Sequence, residues 1–360
     1  MDQNSIKLTE FIQHNGLSVA NHGLMHGNTG ISIYFYHLSR NTNNPAFEQI
    51  ADDLLDKVFT NFSSAAPANF ENGLAGIGWG IEYLVQHNFA EGNTDEILEE
   101  VDNKIFRALN EENHSSFELA NGLTGYLWYL TSRLKNKTNS ASMAQRINCE
   151  LLIRTINMLD EMVTNQFRSV VKDLQFDLYW RFPMLFYGLA EAFGLNVYNE
   201  KIRCMIKQWL PYFEAYIPSL HINRLFLAIA LKRICSLVPN KRLEKQGQNL
   251  LFATDFEILK TEIDHGLLNI RFGWPGTAWI LYMASKEIPD DWPNYHLISK
   301  AYREIMERHK DPMENFTIEN QQANGIQYGL SLGLAGIGLL EIIWPGILSG
   351  NFSNEMSGDD

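Results

Sequence analysis

Between residues 44 and 62 the chain reads NPAFEQIADDLLDKVFTNF, with Phe47, Ile50, Leu54 and Phe59 recurring among acids and Lys57. That spacing gathers the apolar side chains into one stripe and predicts an amphipathic helix lying against a larger body. TDEILEEVDNKIFRALN (94–110), SMAQRINCELLIRTINMLDEMV (142–163) and HLISKAYREIMERHK (296–310) carry the same period. Runs of another kind lie between them, apolar on nearly every face and headed by glycine, such as ENGLAGIGWGIEYLVQH at 71–87. Strand-like alternation bounded by hairpin turns is hard to find, and the predicted class is all-α.

The glycine-headed runs form a repeat. HGLMHGNTGISIYFYHLSR (22–40), ANGLTGYLWYLTSRL (120–134), RFGWPGTAWILYMAS (271–285) and SLGLAGIGLLEII (331–343) share the Gly-x-x-Gly opening, and MLFYGLAEAFGL (184–195) is a weaker copy. The first glycines fall at 27, 73, 122, 188, 273 and 333, far enough apart for a buried helix, a turn, a polar helix and a return loop. Two concentric layers follow, an α/α toroid with six legible inner helices and their glycine ends around one mouth. The glycines are expected to admit close backbone approach and positive φ in the entering turn, and to leave helix N–H groups facing the mouth. Residues 1–350 read as one domain and 351–360 as a polar tail.

Composition narrows the picture. Hydrophobic residues make up 45% and aromatics 12% of 360 residues, enough for a large core. A formal net charge of −13 argues against a nucleic-acid groove or an anionic membrane surface and is compatible with a basic peptide partner. Cys149, Cys204 and Cys235 lie far apart with no metal-type spacing, so they read as buried free thiols in a reducing cytoplasm. The N-terminal stretch lacks the basic and apolar regions of a signal peptide. LSLGLAGIGLLEIIWPGIL (330–348) carries Glu341 and Pro345, so it predicts a buried helix ending at Trp344-Pro345-Gly346, and no membrane span is expected.

ENGLAGIGWGIEYL and GLSLGLAGIGLLEI resemble the second and final repeats of the lanthionine synthetase C-like family, and the resemblance runs over residues 16–345. It implies a ring of helical hairpins that acts on lanthipeptide precursors. Family cyclases hold zinc with two cysteines and a histidine, and the metal activates a peptide thiol for addition to a dehydrated residue. The family's WCYGxPG stretch matches IRFGWPG (270–276), which puts Arg271 at the cysteine, and the following CHG repeat is read as absent. The resemblance also places Tyr187 at the family's proton donor and Glu118 at its catalytic aspartate. Zinc is the family's cofactor, but with its ligands replaced no cofactor and no metal-ligating residue is predicted. A rebuilt imidazole site from His22, His26 and His265 is not expected, because glycines flank the first two.

The mouth should therefore gather the residues just before each Gly-x-x-Gly: His22, His26, Asn28, Glu71, Asn72, Glu118, Asn121, Tyr179, Arg181, Tyr187, His265, Arg271, Trp274, Gln327 and Tyr328. Asn72 and Asn121 have a plain alternative in backbone bonding, and Trp274 in packing on Pro275. Three functions remain open. One is binding of a precursor peptide without a zinc-activated thiol, beside a dehydratase and without catalysis. Another is zinc-independent thioether cyclisation by Glu118, Tyr187 and Arg271. The third is carbohydrate chemistry on a six-hairpin ring, with Glu71, Glu118 and Asp177 as carboxylates and Tyr179, Trp180 and Trp274 as platforms.

Overall fold

The computed structural model describes residues 3–61, 66–111, 114, 116–135, 142–170, 175–309 and 327–344. The proposed polar tail at 351–360 and the expected helix stop at Pro345-Gly346 lie outside the described residues. In chain order the helices are α1 (Gln3–Asn15), α2 (Asn28–Thr42), α3 (Pro45–Thr60), α4 (Leu74–Gln86), α5 (Thr94–Ile97), α6 (Glu99–Glu111), α7 (Leu123–Leu134) and α8 (Met143–Val170). There follow α9 (Arg181–Gly194), α10 (Asn199–Glu214), α11 (His221–Leu237), α12 (Lys241–Phe252), α13 (Phe256–Thr261), α14 (Trp274–Glu287), α15 (Tyr295–Arg308) and α16 (Leu334–Ile343). The described residues hold no strand, only an isolated bridge between Asp264 and Gly273.

The result is the α/α toroid, with one correction to its count. Helices α2, α4, α7, α9, α11, α14 and α16 pack side by side around a central axis, which makes seven inner helices among the described residues. The seventh is α11, whose run HINRLFLAIALKRICSL has no glycine at its head and sits inside the long gap between the fourth and fifth copies. The amphipathic helices form the outer layer: α3 lies on α2, α6 on α4, α8 on α7, α12 on α11 and α15 on α14. Helix α1 packs on α16, and Trp344 stacks on Tyr282 of α14 at 4.6 Å, so the first and last described helices join the ring. Two layers of apolar side chains merge into one continuous core.

Gly27, Gly73, Gly122, Gly273 and Gly333 are the N-caps of α2, α4, α7, α14 and α16. All five are in extended backbone with negative φ, so the expected positive φ is not what the motif supplies. The motif provides room. A Cβ on the second glycine (Gly30, Gly76, Gly125, Gly276 or Gly336) would run into the carbonyl oxygen six residues before it, in the turn folded back on the helix head. That same fold-back caps the helices: Asn28, Leu74, Leu123 and Leu334 each donate to the carbonyl seven residues earlier, at 2.9 to 3.2 Å. These N–H groups are consumed by the chain's own turn and do not face the mouth as expected. Gly188 is a further correction, since α9 starts at Arg181 and places it in mid-helix against Leu127.

The opposite end of the inner layer is held by one buried arginine. Arg133, near the end of α7, donates to Asp102 from Nε and Nη2 at 3.2 and 2.8 Å, to Glu82 at 2.9 Å and to Asp95 at 3.0 Å. Tyr129 and Asn148 donate to Asp102 as well, at 2.5 and 3.0 Å. The guanidinium is wholly buried and ties together α4, α5, α6, α7 and α8. Replacing Arg133 by Met would leave three carboxylates without their cation, and the expected loss is about 3–5 kcal/mol. Urea unfolding of the variant at neutral pH checks it.

Candidate functional site

The turns that enter the inner helices are sewn to one another by their backbones. Residues two before the first glycine are Met25, Glu71, Ala120, Arg271 and Ser331. Arg271 N donates to Ser331 O at 3.2 Å, Ser331 N to Met25 O at 2.9 Å, Met25 N to Glu71 O at 2.9 Å and Glu71 N to Ala120 O at 3.0 Å. On the other side Leu178 N, in the turn before α9, donates to Arg271 O at 2.8 Å. Between Ala120 and Leu178 the Arg181–Glu118 ion pair spans the α7 and α9 heads. Six heads thus form the belt. The head of α11 stands apart, its first N–H groups capped by the Glu262 carboxylate instead.

Arg271 reaches from this belt to two other heads. Its Nη1 donates to Glu71 Oε1 at 2.8 Å, and Nε and Nη2 grip Asp177 in a fork at 3.0 and 3.1 Å. The guanidinium carbon lies 4.6 Å from the Tyr179 ring centroid, and Tyr179 Oη meets Met25 Sδ at 2.9 Å. His26 Nε2 lies 3.1 Å from the same Glu71 oxygen. The hydrogen bond from His26 lowers the pKa of Glu71, against burial and with the help of the Arg271 charge. Burial works against a charged Arg271, yet its bonds to Asp177 and the carboxylate charges raise its pKa. Burial raises the pKa of Tyr179, so the phenol stays neutral.

Of the residues expected at the mouth, His26, Glu71 and Arg271 converge with Asp177 and Tyr179, while Glu118 and Arg181 pair beside them. Asn72 and Asn121 accept from Asn21 and Asn69 at 3.2 and 2.7 Å and stitch neighbouring turns. His22 and the buried Asn28 bond each other at 3.1 Å inside the first turn. The Gln327 carbonyl caps α16, and Tyr328 stacks on Phe11 of α1 rather than facing the mouth. His265 bonds His309 at 2.8 Å, and His309 lies flat on Trp274 at 4.4 Å, so Trp274 packs beneath an imidazole. Trp180 is buried against Phe182 and Tyr216. Neither tryptophan forms a platform at the mouth.

Tyr187 is the main displacement. It sits by Phe226, Arg233 and Glu287, and Glu287 ends the helix that begins at Trp274. Thirteen residues of helix span about 20 Å. Tyr187 therefore belongs to the far end of the ring, and Glu118, Tyr187 and Arg271 are not one constellation. The cysteines are also remote from the belt. Cys235 is buried near the end of α11, but Cys204 is exposed on α10 and Cys149 half-buried on α8, so only one fits the expected buried thiol.

Beneath the belt lies a cavity of about 270 Å³. Its upper wall comes from the residues three before each first glycine, Leu24, Phe70, Leu119, Ile270 and Leu330. Its lower wall includes Trp79, Trp128, Trp279 and Leu339, each six residues after its glycine. Sequence reading missed this lining and the clamp of Arg271 on Asp177, although it named Asp177 and Tyr179 as candidates. Counting from the glycines would have found the first.

Residues 18–174 match the family model described as lanthionine synthetase C-like protein. Among solved structures the fold is similar to that of nisin cyclase, with a TM-score of 0.68 over 98% of this chain and 96% of that one, at 12% identity. No curated protein sequence matches significantly. Over residues 18–174 the chain is similar to the lanthionine synthetase C-like family, and the whole described ring shares the fold of that cyclase. The residues at this chain's mouth do not fit a family zinc site: Arg271 offers only donors, two carboxylates already hold it, and among the described residues no group of three His, Cys, Asp or Glu side chains is placed to hold a metal ion. Among the described residues α14 is the sixth of seven inner helices, and Arg271 stands two residues before its first glycine. No helix among the described residues is long and apolar enough to cross a membrane.

The histidine pair gives this region a pH signature. Burial, with the charges of His265 and Arg308, pushes the His309 pKa down to about 4, and burial also lowers that of His265. A neutral pair in the fold and an ordinary imidazole near 6.5 in the unfolded chain mean that protons bind the unfolded state first. Stability should be intact above pH 6.5 and fall as pH drops from there toward 4. His309→Phe keeps the stack on Trp274 and should flatten that slope in part, since His37 is lowered to about 4 as well. Thermal unfolding followed by circular dichroism across the window measures both slopes.

Proposed function

We propose that this protein binds a lanthipeptide-type precursor peptide across the belted mouth, and does so without a zinc-activated thiol. The observation that carries the reading is Arg271, a permanent cation clamped by Asp177 and Glu71 at a family ligand position. The match of residues 18–174 to the family model supports a place in peptide modification, and the similar solved structure is that of a cyclase. The half-exposed Glu118–Arg181 pair offers groups of both signs to a bound backbone, and a net charge of −13 suits a basic peptide. In this reading the protein works in the cytoplasm beside a dehydratase and holds the peptide for another catalyst.

The contact between His26 and Glu71 supports a second reading, zinc-independent cyclisation. An imidazole oriented by a carboxylate can take the proton of a peptide thiol as its sulfur bonds to the β-carbon of a dehydrated residue. It can then return the proton to the α-carbon of the enolate.

The test is calorimetric titration of the full chain with a dehydrated, cysteine- and serine/threonine-rich lanthipeptide precursor, together with metal content by mass spectrometry. Binding is expected with well under one zinc per chain. Arg181→Ala should weaken it about tenfold, the weight of one charge-assisted contact. No binding would defeat the proposal, as would stoichiometric zinc with thioether formation that stops on chelation. Thioether formation unaffected by chelation and lost in His26→Gln selects the second reading.

A further inference from the structure

We propose that the cavity beneath the belt is a side-chain pocket, which takes one large apolar residue of the bound peptide when lysine or arginine flanks it. The inference rests on the peptide reading of the mouth and adds what that peptide must contain. Protein interiors pack with few voids larger than a water molecule. Here about 270 Å³ stays open on the ring axis, more than the apolar cavity of about 150 Å³ that is known to hold benzene.

The walls are built, not left over. Three of the five repeats that carry the motif place tryptophan at the same position, six after the first glycine, and all three indoles line the space. Each is fixed: Trp128 donates to Met184 O at 3.1 Å, Trp79 stacks on Tyr83 at 5.3 Å and Trp279 on Tyr282 at 5.7 Å. Phe70 meets Trp79 edge-on at 6.1 Å and closes the upper side. Apart from Tyr179 every lining residue is apolar, so the pocket has little to offer a polar group.

The charge above the pocket selects the neighbours. Glu71, Asp177 and Glu118 stand at the mouth against Arg271 and Arg181, an excess of acid on a chain of net charge −13. An anionic amphiphile such as a fatty acid would meet that field, whereas an apolar residue between two cationic ones is complementary to it.

Four probes test the pocket by calorimetry and tryptophan fluorescence: acetyl-Lys-Phe-Lys-amide, acetyl-Lys-Ala-Lys-amide, acetyl-Glu-Phe-Glu-amide and N-acetylphenylalaninamide. The first should bind at least about tenfold more tightly than the second, from burial of a phenyl ring, and than the third, from charge. Leu339→Trp adds a fourth indole at the repeated position, fills the pocket and should abolish the phenylalanine preference. Trp279→Leu, which keeps the ring closed with an aliphatic wall, should weaken it about threefold. Leu339→Trp should unfold at the wild-type Tm, whereas Trp279→Leu loses its stack on Tyr282 and is compared at a temperature where both chains are folded. Equal affinity for the Phe and Ala peptides overturns the pocket while leaving the mouth reading intact, and so does a preference that survives Leu339→Trp. Binding of N-acetylphenylalaninamide that Leu339→Trp removes, with no peptide bound, overturns the proposal together with the mouth reading. Failure of all four probes to bind overturns the proposal.

Discussion

The ring of seven inner helices is drawn together where six of their heads meet, most of them close enough for one backbone to bond the next. The belt from Leu178 through Arg271, Ser331, Met25 and Glu71 to Ala120 is that closure, made by main-chain groups two residues before each glycine. The glycine pattern follows from it. For the turn to lie flat on its own helix head and still present N–H and C=O sideways, the second glycine must pass under a carbonyl oxygen with no Cβ in the way. Side chains on the turn then have only two places to go, outward to the mouth or inward to the lumen. The alternation of Phe70 with Glu71 and Ile270 with Arg271 distributes them, whereas Leu24 and Met25 both line the lumen.

The chemistry of the mouth follows from where charge can be balanced. A guanidinium at 271 would be costly to bury alone, and both of its acidic partners arrive on other heads, Glu71 before α4 and Asp177 before α9. The cluster is thus a cross-brace as well as a candidate site. Its cation is spoken for, which separates it from an open electrophilic centre. His26 on Glu71 and the exposed Arg181–Glu118 pair are the members with capacity left for a ligand.

Much of this was legible in the sequence where glycine marks a head, and little where it does not. Five helix starts follow directly from the repeat. Helix α11 escaped because its head is capped by the Glu262 carboxylate, a contact across 40 residues that leaves no local signal. Gly188 misled for the converse reason, since it serves packing against Leu127 in mid-helix, and the true start of α9 is set by Asp177, whose side chain and carbonyl accept from Tyr179 and Trp180. That one shift carried Tyr187 from the mouth to the far end. Glu71, Arg271 and Glu118 were found from their register alone, but the partnership of Arg271 with Asp177, 94 positions apart, depends on which heads face each other.

The contact of α1 with α16 gives the ring a temporal order. Leu8 packs at Gly338, and Met25 O receives Ser331 N, so the first inner helix waits for the last to complete its bonds. During synthesis the growing arc carries an open seam, with an unpaired carbonyl and an apolar lumen exposed along its edge. Closure is a late event between segments more than 300 residues apart, the kind of non-local step that is slow and vulnerable to association with other chains. A ring of this design is safest when the seam shuts soon after release from the ribosome.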